Sequence, residues 1–210
     1  IQRSASLFLV KNIFSLLLSI LSAVFMISYP LEPSQVSLIS MFTIGIPGFF
    51  LALEPNKTRI KGHFMTNVLL KALPAGLTDV FAVGALVVCG HVFGLPSEDI
   101  ATAATMLLAI VGFMILYKIC QPMNSVRLAV FSGCIVGMIF CGVFLNQLFA
   151  MSGMSTICIL LFVMFSFAAE SFFRYLSILV EDVRLLVKRM RGDISKEELI
   201  HKLEGEELDR

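Results

Sequence analysis

The sequence predicts an all-α integral membrane bundle of six helices with both termini in the cytoplasm, and three observations predict it. Hydrophobic residues make up 58% of the chain and charged residues 15%, a balance that a water-soluble domain of this size has no interior large enough to hide. The charges cluster, leaving six apolar stretches close to the roughly 20 residues a helix needs to cross hydrocarbon. These stretches lie near 6–28, 34–53, 70–94, 99–118, 127–147 and 155–179. The 16 Lys and Arg residues avoid every second connection: 29–35, 95–100 and 147–154 carry none. Cytoplasmic loops retain positive charge and translocated loops avoid it, so the basic segments lie inside and both termini with them.

The first span carries Lys11 about one and a half turns from its inner end, from where the amine can reach the interface along its apolar stem. No small-residue cleavage site follows this stretch, so it does not read as a signal peptide. The chain starts at Ile1, directly in front of a span, and the expectation is a fragment of a longer protein. Tyr29-Pro30-Leu31-Glu32-Pro33-Ser34 then makes a tight outer hairpin, because its two prolines stop one helix and limit the start of the next. The three tyrosines, Tyr29, Tyr117 and Tyr175, all fall near span ends, where amphipathic rings sit.

The second span holds the most unusual feature, Gly45-Ile46-Pro47-Gly48 in its middle. Proline removes a backbone donor and crowds the preceding turn, and the glycines relax the chain, so carbonyls around Ile44 can be freed. In lipid such groups persist only where protein or a wet cavity satisfies them. The span is thus either a plain proline kink or part of a ligand site. After a basic loop the third span opens on Leu73-Pro74-Ala75-Gly76, a second kinked entry. Ala101, Thr105 and Ala109 give the fourth span a small-residue face, and Gly133-Cys134-Ile135-Val136-Gly137 gives the fifth a GxxxG. Both read as close-packing seams. The sixth span turns polar after Glu170 and continues as a charged helix to Arg191. A short amphipathic cytoplasmic tail, 192–210, follows, with a capping box at Ser195 and Glu198.

Ionisable groups inside a bilayer are costly and each is a functional candidate. Glu54 sits at the inner boundary beside Pro55, where solvation explains it. Glu170 has Arg174 four residues on, the spacing of an intrahelical pair. Asp79 is roughly nine residues, or about 13 Å, into its span. It must be protonated, wetted or paired, and it is the hardest to dismiss. Neutral oxygen ligands are at hand in Asn12, Ser15, Ser40 and Thr43, although mid-helix hydroxyls ordinarily just bond the preceding turn. Hard cations want several oxygens, which a broken helix beside a polar neighbour can offer. The five cysteines show no CxxC spacing and read as packing residues. There is no phosphate loop, HExxH or GxSxG, no fixed structural metal site and no catalytic residue set. The net charge of +1 gives no reason to expect nucleic acid.

The opening Ile1-Gln-Arg-Ser-Ala-Ser-Leu-Phe-Leu-Val-Lys-Asn12-Ile-Phe-Ser15 resembles the segment of cation-transporting P-type ATPases that enters their fifth membrane helix. Thr43-Ile-Gly45-Ile-Pro47, followed by Leu53-Glu54-Pro55-Asn56, is similar to their sixth helix, which has a Thr-Asp-Gly-Leu-Pro core and a Phe-Asn-Pro or Glu-Pro turn. Within the superfamily, the chain is most similar to bacterial pumps of the mycobacterial cation-transporting ATPase E type, some associated with calcium. The resemblance runs from residue 1 to about 190. It implies the C-terminal membrane half of such a pump in the bacterial plasma membrane, with lipid, a transported cation and the missing membrane helices and cytoplasmic domains as partners. Mg and ATP are implied for the complete pump and no cofactor for this chain. Asn12 matches a position that supplies a ligand oxygen in calcium pumps. With Ser15, Ser40, Thr43 and carbonyls near Ile44 it would line the ion site. Two departures stand out: Ser15 occupies a glutamate position of those pumps and Ile44 an aspartate position. The Asp-Lys-Thr-Gly phosphorylation motif, the nucleotide domain and the Pro-Glu-Gly fourth helix are absent from the sequence. Two other readings compete with the pump: a self-contained six-helix carrier using Asp79, and a non-catalytic membrane subunit that docks a cytoplasmic partner.

Overall fold

In hydrocarbon every backbone N–H and C=O must find its partner within the protein, and a helix does this inside one segment. The computed structural model describes residues 2–25, 31–53 and 64–190, and among these all regular structure is helical. The helices are α1 (Gln2–Phe25), α2 (Pro33–Ser40), α3 (Ile46–Leu53), α4 (Phe64–Val92), α5 (Ser97–Cys120), α6 (Ser125–Phe144) and α7 (Thr156–Met190). A π-helical turn, Met41–Gly45, joins α2 to α3, so these three pieces form one apolar rod of 21 residues. Five described helical segments are long and apolar enough to cross a membrane: Pro33–Leu53, Ala72–Val92, Ser97–Cys120, Ser125–Phe144 and Thr156–Leu185. In α1 the described apolar stretch, Lys11–Ile20, is shorter.

The apolar part of the third span, Ala72–Val92, starts beside Pro74, and the helix that carries it, α4, begins further back, at Phe64, with Pro74 inside it. The Thr78 hydroxyl donates to the Pro74 carbonyl at 2.7 Å, a side-chain bond within the turn that follows the proline. In the second span the irregularity is a π turn over Met41–Gly45, which contains Ile44 and the first residue of Gly45-Ile46-Pro47-Gly48, because a proline disturbs the turn that should have received its missing N–H. Glu54, the loop that follows it and the expected tail helix at 192–210 lie outside the described residues.

The chain divides after Phe173 into two compact units. The second, from Arg174 onward, is helical through Met190 and carries Arg174, Glu181, Asp182 and Arg184. In the first unit, α4 and α5 are central: 67% of each apolar span is buried, against 6% for α6. α1 lies along α4, and Phe14 and Leu18, one turn apart, are buried there. Ala103, Ala104, Leu107, Val111 and Leu116 of α5 are all fully buried. A helix apolar all round is the kind that sits inside a bundle. The small face expected on this helix, Ala101, Thr105 and Ala109, is buried too.

Side chains of α5 also hold the entry to α7. The Ser155 N–H donates to the Asp99 carboxylate (Oδ2) at 2.9 Å, and the Ser152 N–H to the Thr102 hydroxyl at 3.1 Å. A carboxylate beside the first turn of a helix complements its unpaired N–H groups and their positive end. At the opposite end of α5, the Arg127 guanidinium donates to the carbonyls of Cys120 (3.2 Å) and Pro122 (2.7 Å), bracing the turn into α6. Gln35, fully buried at the start of α2, accepts from the Glu32 N–H at 3.1 Å and donates to the Ala150 carbonyl at 2.9 Å. It thereby ties the entry of α2 to the α6–α7 loop.

Candidate functional site

The π turn creates the site. An α-helix that takes up an extra residue closes its bonds five residues back, as the Ile46 N–H does on the Met41 carbonyl. Pro47, buried one residue on, has no N–H to return to the preceding turn. The widened turn carries Phe42, Thr43 and Ile44, all buried, into the space between α1, α4, α5 and α6.

That space contains a cavity of about 50 Å³ lined by residues from α1, α2, the π turn, α4 and α5. A single water needs roughly 10–15 Å³ on this kind of measure, so the cavity has room for a few waters or an ion. Its polar lining is Lys11, Ser15, Ser40, Thr43 and Asp79. Asp79 is 2% exposed, and its Oδ1 is fully buried with no hydrogen-bond partner among the described residues. Buried polar atoms are nearly always paired, and one left over asks for a ligand or a water.

The hydroxyls have a definite polarity. Ser40 donates to the Val36 carbonyl at 2.7 Å, and Thr43 to the Ile39 carbonyl at 2.7 Å. Each proton is committed to the preceding turn, so the oxygens can offer only lone pairs. Together with the free carboxylate oxygen they give the wall an excess of acceptors. Lys11 is the one cation on the lining. No group of three or more His, Cys, Asp or Glu comes together among the described residues. The lining therefore offers one carboxylate and neutral oxygens, the hard donor atoms that hard cations take.

Of the residues singled out from the sequence, Ser15, Ser40, Thr43, Ile44 and Asp79 converge on this cavity. Asn12 is exposed and does not line it, and Glu170 lies exposed on α7. Gly45 is exposed at the end of the π turn, while Pro47 and Gly48 are buried in the first turns of α3. Lys11, read from the sequence as able to reach the interface, also lines the cavity. Sequence reasoning also missed the α5 contributors Leu108, Gly112 and Ile115. A glycine among apolar residues gives no signal until its neighbour is known. A second, open polar hollow of about 570 Å³ lies where α2 starts, bounded by Glu32, Gln35, His91 and Glu98 among others.

No family model matches the chain. It is 31% identical over 135 residues to the probable cation-transporting ATPase exp7 of Streptococcus pneumoniae, a match covering 60% of this chain and 17% of that protein. It is 40% identical over 87 residues to the calcium-transporting ATPase CtpE of Mycolicibacterium smegmatis, covering 37% and 11%. The corresponding Mycobacterium bovis protein is 32% identical over 143 residues, covering 61% and 18%. The chain thus matches less than a fifth of the length of these curated relatives. Its several apolar helices and these bacterial relatives make it a multi-pass protein of the plasma membrane. The sequence, its helices and its relatives agree: this chain is similar to a stretch of bacterial cation-transporting ATPases, calcium-transporting ones among them.

Proposed function

We propose that this chain is part of the membrane domain of an ATP-driven cation pump, and that the cavity beside the π turn is its cation-binding element. Asp79 is the charged ligand. The Ser40 and Thr43 oxygens and a carbonyl near Ile44 are the neutral ones, with Ser15 beside them. The observation that carries this reading is the Asp79 Oδ1, buried without a partner at an acceptor-lined cavity. Hard cations bind several oxygens, and charge count sets how tightly. Ser15 and Ile44 stand where the resembling calcium pumps have carboxylates, and Asp79 brings a carboxylate to the same place from α4. The sixth-helix break supplies the shape and α4 supplies the charge.

Calcium is the first candidate, because two of the relatives are named for it. Mg and ATP act on cytoplasmic domains beyond this stretch of sequence. Cation-activated ATP hydrolysis by the complete pump, purified and assayed over a range of Ca²⁺, tests the proposal. Asp79→Asn removes the charge at nearly constant shape. The half-activating concentration is expected to rise about tenfold or more, as losing one partner of a buried charge pair implies. A variant with an unchanged activation curve would overturn the site.

A further inference from the structure

The cavity owes its dimensions to a glycine. Gly112 of α5 lines it, and a Cβ built there would stand 2.9 Å from Thr43 Cγ2 and 3.2 Å from Thr43 Cβ. Real Cβ atoms essentially never come within 3.0 Å of another atom, so the 2.9 Å approach would force one side to move. Thr43 is poorly placed to yield. It is 3% exposed, branched at Cβ, and its hydroxyl is fixed to the Ile39 carbonyl at 2.7 Å. The other side of the same turn is held likewise: a Cβ at Gly137 of α6 would come within 2.5 Å of Phe42 Cε1. Two glycines on different helices therefore grip consecutive residues of the π turn. Gly133, the other glycine of the GxxxG, has nothing within 4 Å of its position. The motif is thus not a uniform seam.

We propose that Gly112 is the size-determining residue of the cation site: by letting Thr43 lie against the α5 backbone, it sets the width of the cavity facing Asp79. This rests on the cavity being the cation site and adds what limits the cation's radius. Gly112 acts through Thr43 and touches no reacting group. Any side chain at 112 pushes the Thr43 methyl or occupies the cavity wall, and both narrow the space. Cavity size together with ligand number separates hard cations of equal charge, so narrowing must penalise a large divalent ion more than a small one. Removing the Thr43 methyl must do the reverse.

The test measures activation of ATP hydrolysis in the complete pump by Mn²⁺, Ca²⁺ and Sr²⁺, in order of increasing radius. Gly112→Ala should raise the half-activating Sr²⁺ concentration about tenfold, the scale of a modest overpacking cost, with a smaller rise for Ca²⁺ and the least for Mn²⁺. Thr43→Ser, which keeps the hydroxyl and deletes the touched methyl, should shift the ratio toward Sr²⁺. The double variant should return close to the wild-type ratio, and Gly133→Ala should match wild type throughout. A general packing defect raises all three concentrations equally and is not relieved by Thr43→Ser, and that result overturns the assignment. If Gly112→Ala fails to assemble, Thr43→Ser alone decides, since an unmoved ratio refutes the role. Asp79→Asn in the same series separates the two ideas. Normal activation of that variant removes the site and the sizing role together, whereas impaired activation with unmoved ratios in the Gly112 and Thr43 variants removes the sizing role alone.

Discussion

Replacing Asp79 by leucine should make the empty protein more stable and the cation-loaded protein no more stable than the empty one. Asp79 is 2% exposed and its Oδ1 lacks a partner among the described residues. Leaving a buried acceptor unsatisfied costs about 1–3 kcal/mol, and a leucine of similar reach removes that cost while filling the same space. Without cation, the variant is therefore expected to gain about 1–3 kcal/mol. With cation the order changes. A ligand that binds only the folded state adds RT ln(1 + [L]/Kd), about 2.7 kcal/mol at one hundred times Kd, and Asp79→Leu forfeits all of it. Thermal unfolding of the complete protein in detergent, in chelator and in saturating Ca²⁺, reads both terms. Destabilisation by leucine in chelator would mean that the carboxyl group has a partner and that the orphan argument is wrong. Retention of a cation-dependent rise in the leucine variant would mean that the cation binds elsewhere.

Three further expectations follow from the packing and the topology. Gln35→Leu breaks the bonds to the Glu32 N–H and the Ala150 carbonyl, leaving backbone groups unpaired. It should cost about 1–3 kcal/mol in the same unfolding assay, and an unchanged midpoint would refute the tether. Gly137→Ala should cost about 1–3 kcal/mol by overpacking Phe42, whereas Gly133→Ala should be neutral or gain up to about 1 kcal/mol from helix propensity. Equal effects from the two would refute the one-sided reading of the motif. For orientation, a cysteine at Glu98 in a variant lacking the native cysteines should react with an impermeant maleimide on intact cells. One at Ser125 should react only after permeabilisation, and the reverse pattern would invert the topology.

The helical class was legible because it depends on composition and on segment length, which are properties of the chain itself. The break in the second span was legible for the same reason: proline and glycine act on their own backbone. Its place, around Ile44, was legible too, but its form was not. Pro47 shifts the disturbance into Met41–Gly45, and whether such a turn widens or kinks depends on what surrounds it. Asp79 stood out because any carboxyl group deep in a span does, but its convergence with Ser40 and Thr43 depends on how α2 and α4 are set around α5. Lys11 shows the limit most clearly. Snorkelling and lining a cavity are compatible with the same side chain at the same depth, and only the facing helices reveal the second. Gly112 carried no sequence signal, because a glycine's meaning as a gap is written in the residue that fills it, here Thr43.

The extra residue in the π turn behaves like a dislocation in a crystal. Such a defect can glide along a helix as each N–H exchanges one carbonyl for the next. Pro47 has no N–H to exchange, so toward α3 the glide stops there. The surplus residue is therefore pinned on its C-terminal side, and Thr43 is held in register with Gly112. Further movement of the defect can run only back into α2, toward the segment anchored by Gln35.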